Sequence, residues 1–175
     1  MEIRSANLGD LNACFAIDDS FETEYVWQME ERNGAGDIAI GFHLAHLPRA
    51  MKVGSSISRD ELTYNFQHGG ALFVADDGKV CGFVDVTESE WNQAAYIHNL
   101  AVGPAYRRKG VGTRLMRAAL EWARQKGLRA AMLDTSTKNY PAISFYQKQG
   151  FSFCGFNDQL YANRDIAMLF AMSLR

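Results

Sequence analysis

The spacing of apolar residues in this chain switches repeatedly between a period of two and a period of about 3.6 residues. The first period is typical of β-strands and the second of amphipathic helices. A strand pattern over residues 2–5 is followed by a short helix that Asn7 and Asp10 cap, and both periods recur until the last residues. An all-α or all-β fold would keep one period. The sequence therefore predicts a mixed α/β (α+β) domain.

Turn signals divide the chain into short elements. Apolar positions alternate over Tyr25–Leu44 on both sides of the turn Asn33-Gly34-Ala35-Gly36, which predicts an N-terminal hairpin. Ser58 and Glu61 form a second capping box before a helix. The remaining pattern predicts strands over 71–75, 80–87, 94–102, 129–135, 152–161 and 166–174, and helices over 110–126 and about 139–149. We expect a largely antiparallel central sheet of six to seven strands, flanked by about four helices.

Length and charge limit the classes of partner. A chain of 175 residues without a linker or repeat is expected to form one domain over 1–175. Its 18 basic and 20 acidic residues give a formal charge of −2, which supplies no general attraction to nucleic acid or to an acidic membrane. With no leader pattern at its start and no membrane-spanning run, we expect a cytoplasmic location. Any anionic ligand must be held locally.

Cysteine and histidine spacing gives little support to a metal or redox site. Cys14, Cys81 and Cys154 are far apart and form no Cys-x-x-Cys pair, so we interpret them as small core residues. His43 and His46 have helical spacing, but the strand pattern around them predicts opposite faces. We therefore expect no metal.

A loop with three consecutive basic residues precedes the longest predicted helix. The first turn of a helix has unpaired N–H groups and the positive end of the helix dipole, so it can bind a phosphate group. Gly110 and Gly112 would let backbone donors approach such an anion, and Arg107, Arg108 and Lys109 would add positive charge. Neither a Walker A loop nor a dinucleotide fingerprint occurs. The alternative is an ordinary loop with a solvated cationic face.

Two motifs together carry a resemblance to a known family. They are Arg107-x-x-Gly110-x-Gly112 and, further on, Asn139-x-x-Ala142-x-x-Phe145-Tyr146-x-x-x-Gly150-Phe151. Over residues 71–156 the chain resembles the GNAT superfamily of acetyl-CoA-dependent N-acetyltransferases. This implies a GNAT-like fold with acetyl-CoA as the acetyl donor. The segments 90–92 and 95–102 are most similar to the streptothricin acetyltransferase branch, although His98 stands where that branch has an acidic residue.

The resemblance implies roles in binding the donor. Main-chain groups of Leu100, Ala101 and Val102 would bind pantetheine and the thioester, where a β-bulge would open the strand. Tyr146 would protonate the departing thiolate, unless it is an ordinary core residue. Asn139 would contact pantetheine or cap its helix. The pyrophosphate would contact residues at the start of the long helix, namely Arg107, Arg108, Lys109, Gly110, Val111, Gly112 and Thr113.

The acceptor must lose a proton, since a free alkylamine has a pKa near ~10.4. Histidine, with an ordinary pKa near ~6.5, suits a general base. Strand alternation predicts that His98 shares a face with Leu100 and Val102, opposite Asn99. A buried structural histidine is the alternative. Asp134 ends a strand where several family members place a carboxylate. Candidate residues for binding the acceptor are Glu88, Glu90, Trp27, Tyr25 and Trp91.

The sequence thus favours an enzyme that acetylates a primary amine by direct attack. The acceptor would be a small cationic amine, such as an aminoglycoside- or streptothricin-like antibiotic, or a protein amino group. The alternative is a non-catalytic CoA-binding regulatory or interaction module. A terminal strand over 166–174 could pair across a two-fold axis, which makes a homodimer possible.

Overall fold

The computed structural model of residues 1–175 contains nine β-strands and four α-helices, which are interspersed along the chain. This confirms the mixed α/β prediction. None of its helices has the length and apolar composition of a transmembrane helix. In chain order the elements are β1 (Glu2–Ser5), α1 (Leu11–Phe15), β2 (Phe21–Gly34), β3 (Asp37–Val53), α2 (Arg59–Gln67), β4 (Ala71–Asp76), β5 (Val80–Ser89), β6 (Ala94–Val102), α3 (Val111–Gln125), β7 (Ala130–Ser136), α4 (Tyr140–Lys148), β8 (Ser152–Asn157) and β9 (Ala167–Ser173).

Seven strands form one mixed sheet in the order β1-β4-β5-β6-β7-β9-β8, and β2 pairs with β3 in a separate hairpin. The pairs β1/β4, β4/β5 and β5/β6 are antiparallel, whereas β6/β7 is parallel. This confirms the predicted seven-stranded sheet and the N-terminal hairpin. The predicted pairing of the last strand across a two-fold axis needs correction. β9 lies between β7 and β8, so the exposed edges belong to β1 and β8.

The chain divides into two compact units. One comprises residues 1–20, 54–133 and 171–175, and the other comprises residues 21–53 and 134–170. The first contains α1, α2, α3 and the strands β1, β4, β5 and β6. The second contains the β2–β3 hairpin, α4 and β8.

In the first unit, residues of β5 alternate between two sets of helices. Phe83 is buried in one cluster with Cys14 of α1 and Leu62 of α2. A Cβ added to the neighbouring Gly82 would lie 3.1 Å from Leu115 Cδ1 of α3, which leaves no room for a larger residue. Odd-numbered residues of β5 therefore face α1 and α2, and even-numbered residues face α3.

A β-bulge interrupts β6 at His98. Asn99 is opposite Asp85 and Ile97 is opposite Val86, so His98 has no partner residue on β5. The predicted bulge in this strand is therefore present. An extra residue on one strand reverses the alternation of side chains beyond it.

Because of the bulge, the side chains of β6 lie on different faces of the sheet from those predicted. His98 and Asn99 both hydrogen-bond side chains of odd-numbered β5 residues, so both face α2. Val102 lies beside Gly82 on the α3 face. The prediction that His98 shares a face with Leu100 and Val102, opposite Asn99, is wrong because it counted alternation through the bulge.

Both predicted N-cap residues are present in the first unit, but only the first forms a complete capping box. Asn7 and Asp10 form the reciprocal capping box, and Asp10 also pairs with Arg4, which lowers the pKa of the Asp10 carboxyl. Ser58 accepts from the backbone N–H of Glu61. The Glu61 carboxylate contacts His98.

In the second unit, the hairpin extends to Val53, further than the predicted Leu44. Phe42 of β3 packs against Phe153 and Phe156 of β8, with ring centroids 5.4 and 5.7 Å apart. The backbone N–H of Trp27 donates to the carbonyl of Thr137 at 2.9 Å. These contacts hold the hairpin against the segment that surrounds α4.

The cysteines differ in burial. Cys14 and Cys81 are buried as predicted, but Cys154 is exposed on β8, so the core interpretation is wrong for that residue. Burial raises the pKa of the Cys14 thiol to about 12, which keeps it protonated and unreactive at neutral pH.

Candidate functional site

The loop before α3 presents backbone donors beside open space. Gly110 caps the helix with a φ of +79°, and Arg108 also has a positive φ of 62°. Because the left-handed Gly110 is followed by the right-handed residues of α3, successive N–H groups turn toward one side, an arrangement suited to anions. The first-turn N–H groups of Val111 and Gly112 have no carbonyl one turn earlier. No atom lies within 4 Å of the position of a Gly110 Cβ. These features fit a bound pyrophosphate.

The Arg107 side chain is engaged with the protein itself. Its guanidinium donates to the Val102 carbonyl at 2.9 Å, to the Ser20 carbonyl at 2.8 Å and to the Asp18 carbonyl at 2.6 Å. It thereby ties the loop to the end of β6 and to the segment after α1. This geometry fixes the loop and does not present the guanidinium to a ligand, unlike the direct contact expected from the sequence.

Two neighbouring cations are exposed. Arg108 and Lys109 are both accessible to solvent, and Lys109 Nζ lies 5.8 Å from the centre of the Tyr106 ring. Thr113, in the first turn of α3, is half-buried. The positive charge beside the backbone donors therefore comes chiefly from Arg108 and Lys109.

His98 connects α2 to β5. Its Nε2 lies 2.8 Å from Thr87 Oγ1 and its Nδ1 lies 3.2 Å from Glu61 Oε1. The side chain is 21% exposed, so it remains accessible. The sequence pointed to His98, but it gave no role to Thr87 and identified Glu61 only as a helix cap. The bulge and the packing of α2 bring these residues together.

A buried carboxylate lies beside this group. Asp85 is 1% exposed, and its Oδ2 accepts from Asn65 at 2.8 Å and from Asn99 at 3.3 Å. Burial raises the pKa of Asp85 despite these hydrogen bonds. Asp85 was not among the predicted site residues, although an acid within an apolar strand was a usable signal.

In the second unit, Tyr146 of α4 is buried. Burial, with a smaller contribution from the charge of Asp134, raises the pKa of Tyr146 to about 12. The phenol therefore stays protonated at neutral pH and can act as a proton donor. Asp134 accepts a hydrogen bond from the Tyr161 hydroxyl. Tyr161 was expected to end a strand, but β8 stops at Asn157 and leaves it in a loop.

Asn139 caps α4. Its side-chain oxygen accepts from the Ala142 backbone N–H at 3.2 Å. Of the two roles left open for this residue, capping is the one that the geometry displays.

Tyr25 and Trp27 lie on β2 among aromatic neighbours. The Tyr25 ring centroid is 5.0 Å from that of His46 and 5.2 Å from that of Tyr140. Trp27 is half-buried, and its indole Nε1 is buried without a hydrogen-bond partner. This part of the second unit offers apolar ring surfaces and one unused donor.

The other residues that were predicted to bind the acceptor lie away from His98. Glu88 is on the α3 face of β5, where its carboxylate lies 3.6 Å from Lys126 Nζ. Glu90 is exposed in the turn before β6. Trp91, in the same turn, is 89% exposed, so it forms no pocket wall in this unit.

Comparison with known proteins gives a consistent result. The chain matches the Acetyltransferase (GNAT) family over residues 40–151. Streptothricin acetyltransferase from Streptomyces lavendulae is 37% identical over 169 residues, which cover 91% of this chain and 86% of that protein. The crystal structure of nourseothricin acetyltransferase superposes with a TM-score of 0.85 at 28% identity, covering 99% of this chain and 98% of that chain.

A Bacillus anthracis structure in complex with acetyl coenzyme A shares the fold. Its TM-score is 0.78 at 24% identity, covering 98% of this chain and 96% of that chain. The family match spans more than half of the residues, and the similarity to the Streptomyces protein extends over nearly the whole length. The chain is therefore a member of the GNAT acetyltransferase family.

Proposed function

We propose that this chain transfers the acetyl group of acetyl-CoA to a primary amine of a small cationic antibiotic of the streptothricin kind. The observation that carries the proposal is the set of backbone donors around Gly110 beside the exposed Arg108. The acceptor class is supported by the similarity to streptothricin acetyltransferase over 91% of the chain. We further propose that residues 1–175 work as one cytoplasmic catalytic domain, since the family match over residues 40–151 includes parts of both compact units.

Donor binding would use backbone groups at two places. The N–H groups of Val111, Gly112 and Thr113 would hold the pyrophosphate, and Arg108 and Lys109 would neutralise its charge. Main-chain groups of Leu100, Ala101 and Val102 would bind pantetheine beyond the bulge at His98. Of these, the Val102 carbonyl already accepts from Arg107, so its N–H is the group that would remain for the ligand.

The chemistry would be direct attack by the amine nitrogen on the thioester carbonyl. The C–N bond forms, the tetrahedral intermediate collapses and the C–S bond breaks. Tyr146 would give its proton to the departing thiolate, a task that its raised pKa suits. His98 would take the proton that the amine loses, with Asp134 as the other candidate.

Acceptor binding would involve the aromatic part of the second unit. Tyr25 and Trp27 supply ring faces that can bind a cationic amine, and the Asp134 carboxylate supplies negative charge. Glu90 is exposed and would act only at the rim.

An acceptor panel tests this function. Purified protein is incubated with acetyl-CoA and a streptothricin, an aminoglycoside or a lysine-containing peptide, and free thiol is measured. We expect thiol release that is fastest with the streptothricin and depends on a free amino group. Binding of coenzyme A by calorimetry without thiol release from any amine would instead favour the non-catalytic module.

The His98→Ala variant tests the proton acceptor. We expect kcat/KM to fall by about 100-fold, within the usual range for a lost general base. Because a general base acts only when it is unprotonated, the rise of the wild-type kcat/KM with pH should disappear in this variant. The control is Asp134→Asn measured over the same pH range. A profile unchanged in His98→Ala but flattened in Asp134→Asn would assign the base to Asp134.

A further inference from the structure

We propose that Thr87, His98 and Glu61 form a proton relay in which the Thr87 hydroxyl, rather than the imidazole, meets the acceptor. This inference rests on the proposed function, in which His98 is the final proton acceptor. It adds two residues that the family motifs do not contain. The observations that carry it are the two hydrogen bonds of the His98 ring and the position of Thr87 between His98 and Gly70.

The hydrogen bonds determine which ring nitrogen carries the proton. An ionised carboxylate can only accept, so the contact of 3.2 Å between Glu61 and Nδ1 requires a proton on Nδ1. In the neutral ring, Nε2 is then the acceptor. Thr87 Oγ1, 2.8 Å away, must donate to it.

The basic lone pair of His98 Nε2 is therefore occupied by the hydrogen bond from Thr87. A proton from the acceptor cannot reach Nε2 directly while the hydroxyl occupies that position. Thr87 Oγ1 still has lone pairs that can accept from an amine or a water. The threonine hydroxyl is therefore the group through which a proton would enter.

Thr87 is held in place from the other side. A Cβ added to Gly70 would lie 3.2 Å from Thr87 Cγ2 and 2.6 Å from the Asn65 carbonyl oxygen. The start of β4 thus approaches Thr87 closely, and the missing side chain at Gly70 makes this possible. Since Thr87 is half-buried, its hydroxyl is both confined and accessible.

The proton transfer balances. As the nitrogen forms its bond to the acetyl carbon, its proton passes to Thr87 Oγ1. The original hydroxyl proton passes from Oγ1 to His98 Nε2. Thr87 ends as a neutral hydroxyl and His98 as an imidazolium that faces the Glu61 carboxylate. Glu61 is a positioning residue because it acts through His98.

The groups around the His98 ring come from α2, β5 and β6. The acidic groups near the ring are Glu61 of α2 and the buried Asp85 of β5, whose charge interacts with His98. The Tyr96 ring lies 5.0 Å from the imidazole centroid and confines its other side. Transfer of a proton into the relay would therefore place a positive charge beside a carboxylate.

The kinetic test compares Thr87→Val with Thr87→Ser. Valine has the same shape as threonine without the hydroxyl, whereas serine keeps the hydroxyl. We expect kcat with a streptothricin to fall at least ~10-fold in Thr87→Val and to stay within ~3-fold in Thr87→Ser, since lost proton transfer costs about this much or more. The Kd for acetyl-CoA should be unchanged in both. Equal activity of the two variants would overturn the relay.

The structural test is independent of turnover. Nitrogen-15 NMR of histidine-labelled wild-type protein, at a pH where His98 is neutral, should show a protonated Nδ1 and an unprotonated Nε2. Thr87→Val should keep this tautomer, and Glu61→Ala should lose it. A protonated Nε2 in the wild type would overturn the proposal. If His98→Ala retains full activity, His98 is not the base and the proposed function is wrong on that point. If His98→Ala is impaired but Thr87→Val is not, His98 remains the base and the relay through Thr87 is wrong.

Discussion

Replacement of Tyr146 by phenylalanine is expected to lower kcat by about 100-fold or more, the usual effect of removing a general acid. The substitution keeps the ring that packs near Phe145 and Phe151 and removes only the hydroxyl. Because burial raises the pKa of Tyr146 to about 12, the phenol stays protonated through neutral pH. The fold-loss should therefore be constant over a pH range of about 6 to 9.

Thiol release and calorimetry together measure this effect. The Kd of acetyl-CoA should stay within about twofold of the wild type, because an acid acts mainly in the transition state. Tyr140→Phe, on the same helix, is the matched control and should retain activity. A parallel loss of binding and turnover in Tyr146→Phe would show that the hydroxyl serves packing and not proton transfer.

Replacement of Arg107 by alanine is expected to destabilise the protein by about 3 kcal/mol or more, because hydrogen bonds from a charged group contribute roughly 1.5 to 3 kcal/mol each. Three carbonyls, on Val102, Ser20 and Asp18, lose their donor. The midpoint of thermal unfolding should fall by roughly 6 to 12 °C for a chain of this size. The KM for acetyl-CoA should also rise, since the loop before α3 loses its anchor.

Arg108→Ala is the matched control for this loss. Arg108 is exposed, so its removal should leave the unfolding midpoint within about 1 to 2 °C, as for most surface substitutions. It should nevertheless raise the KM for acetyl-CoA, because a cation near the phosphate groups is lost. If the Arg107 variant instead kept the native melting temperature and only raised the KM, the result would support a direct contact between Arg107 and the ligand, as the sequence motif implies.

Much of the architecture was predictable because it depends on local patterns. The turn at Asn33–Gly36 ends β2 and begins β3, and the alternation of apolar residues identifies both strands. Gly110 marks the start of α3, where a positive φ requires a residue without a Cβ. Such signals lie within a few residues of their effects.

The environment of the candidate site was less accessible from sequence. The bulge at His98 depends on register with β5, which alternation within β6 cannot reveal. The motif that contains Arg107 gives the residue type but not its partners, and those partners lie 87 and 89 residues away on Ser20 and Asp18. The Tyr161–Asp134 contact likewise depends on where a strand stops. Each of these features is set by tertiary packing.

The bulge in β6 also bears on how chemistry at this position can vary. Since His98 has no residue opposite it on β5, exchanging its side chain changes no directly opposed residue pair, although it removes the hydrogen bond to Thr87. A different proton-accepting group can therefore occupy the position without repacking the scaffold. Inserting or deleting one residue between Ala94 and Val102 would instead swap the inward and outward sets of the strand, so this segment tolerates changes of identity far better than changes of length.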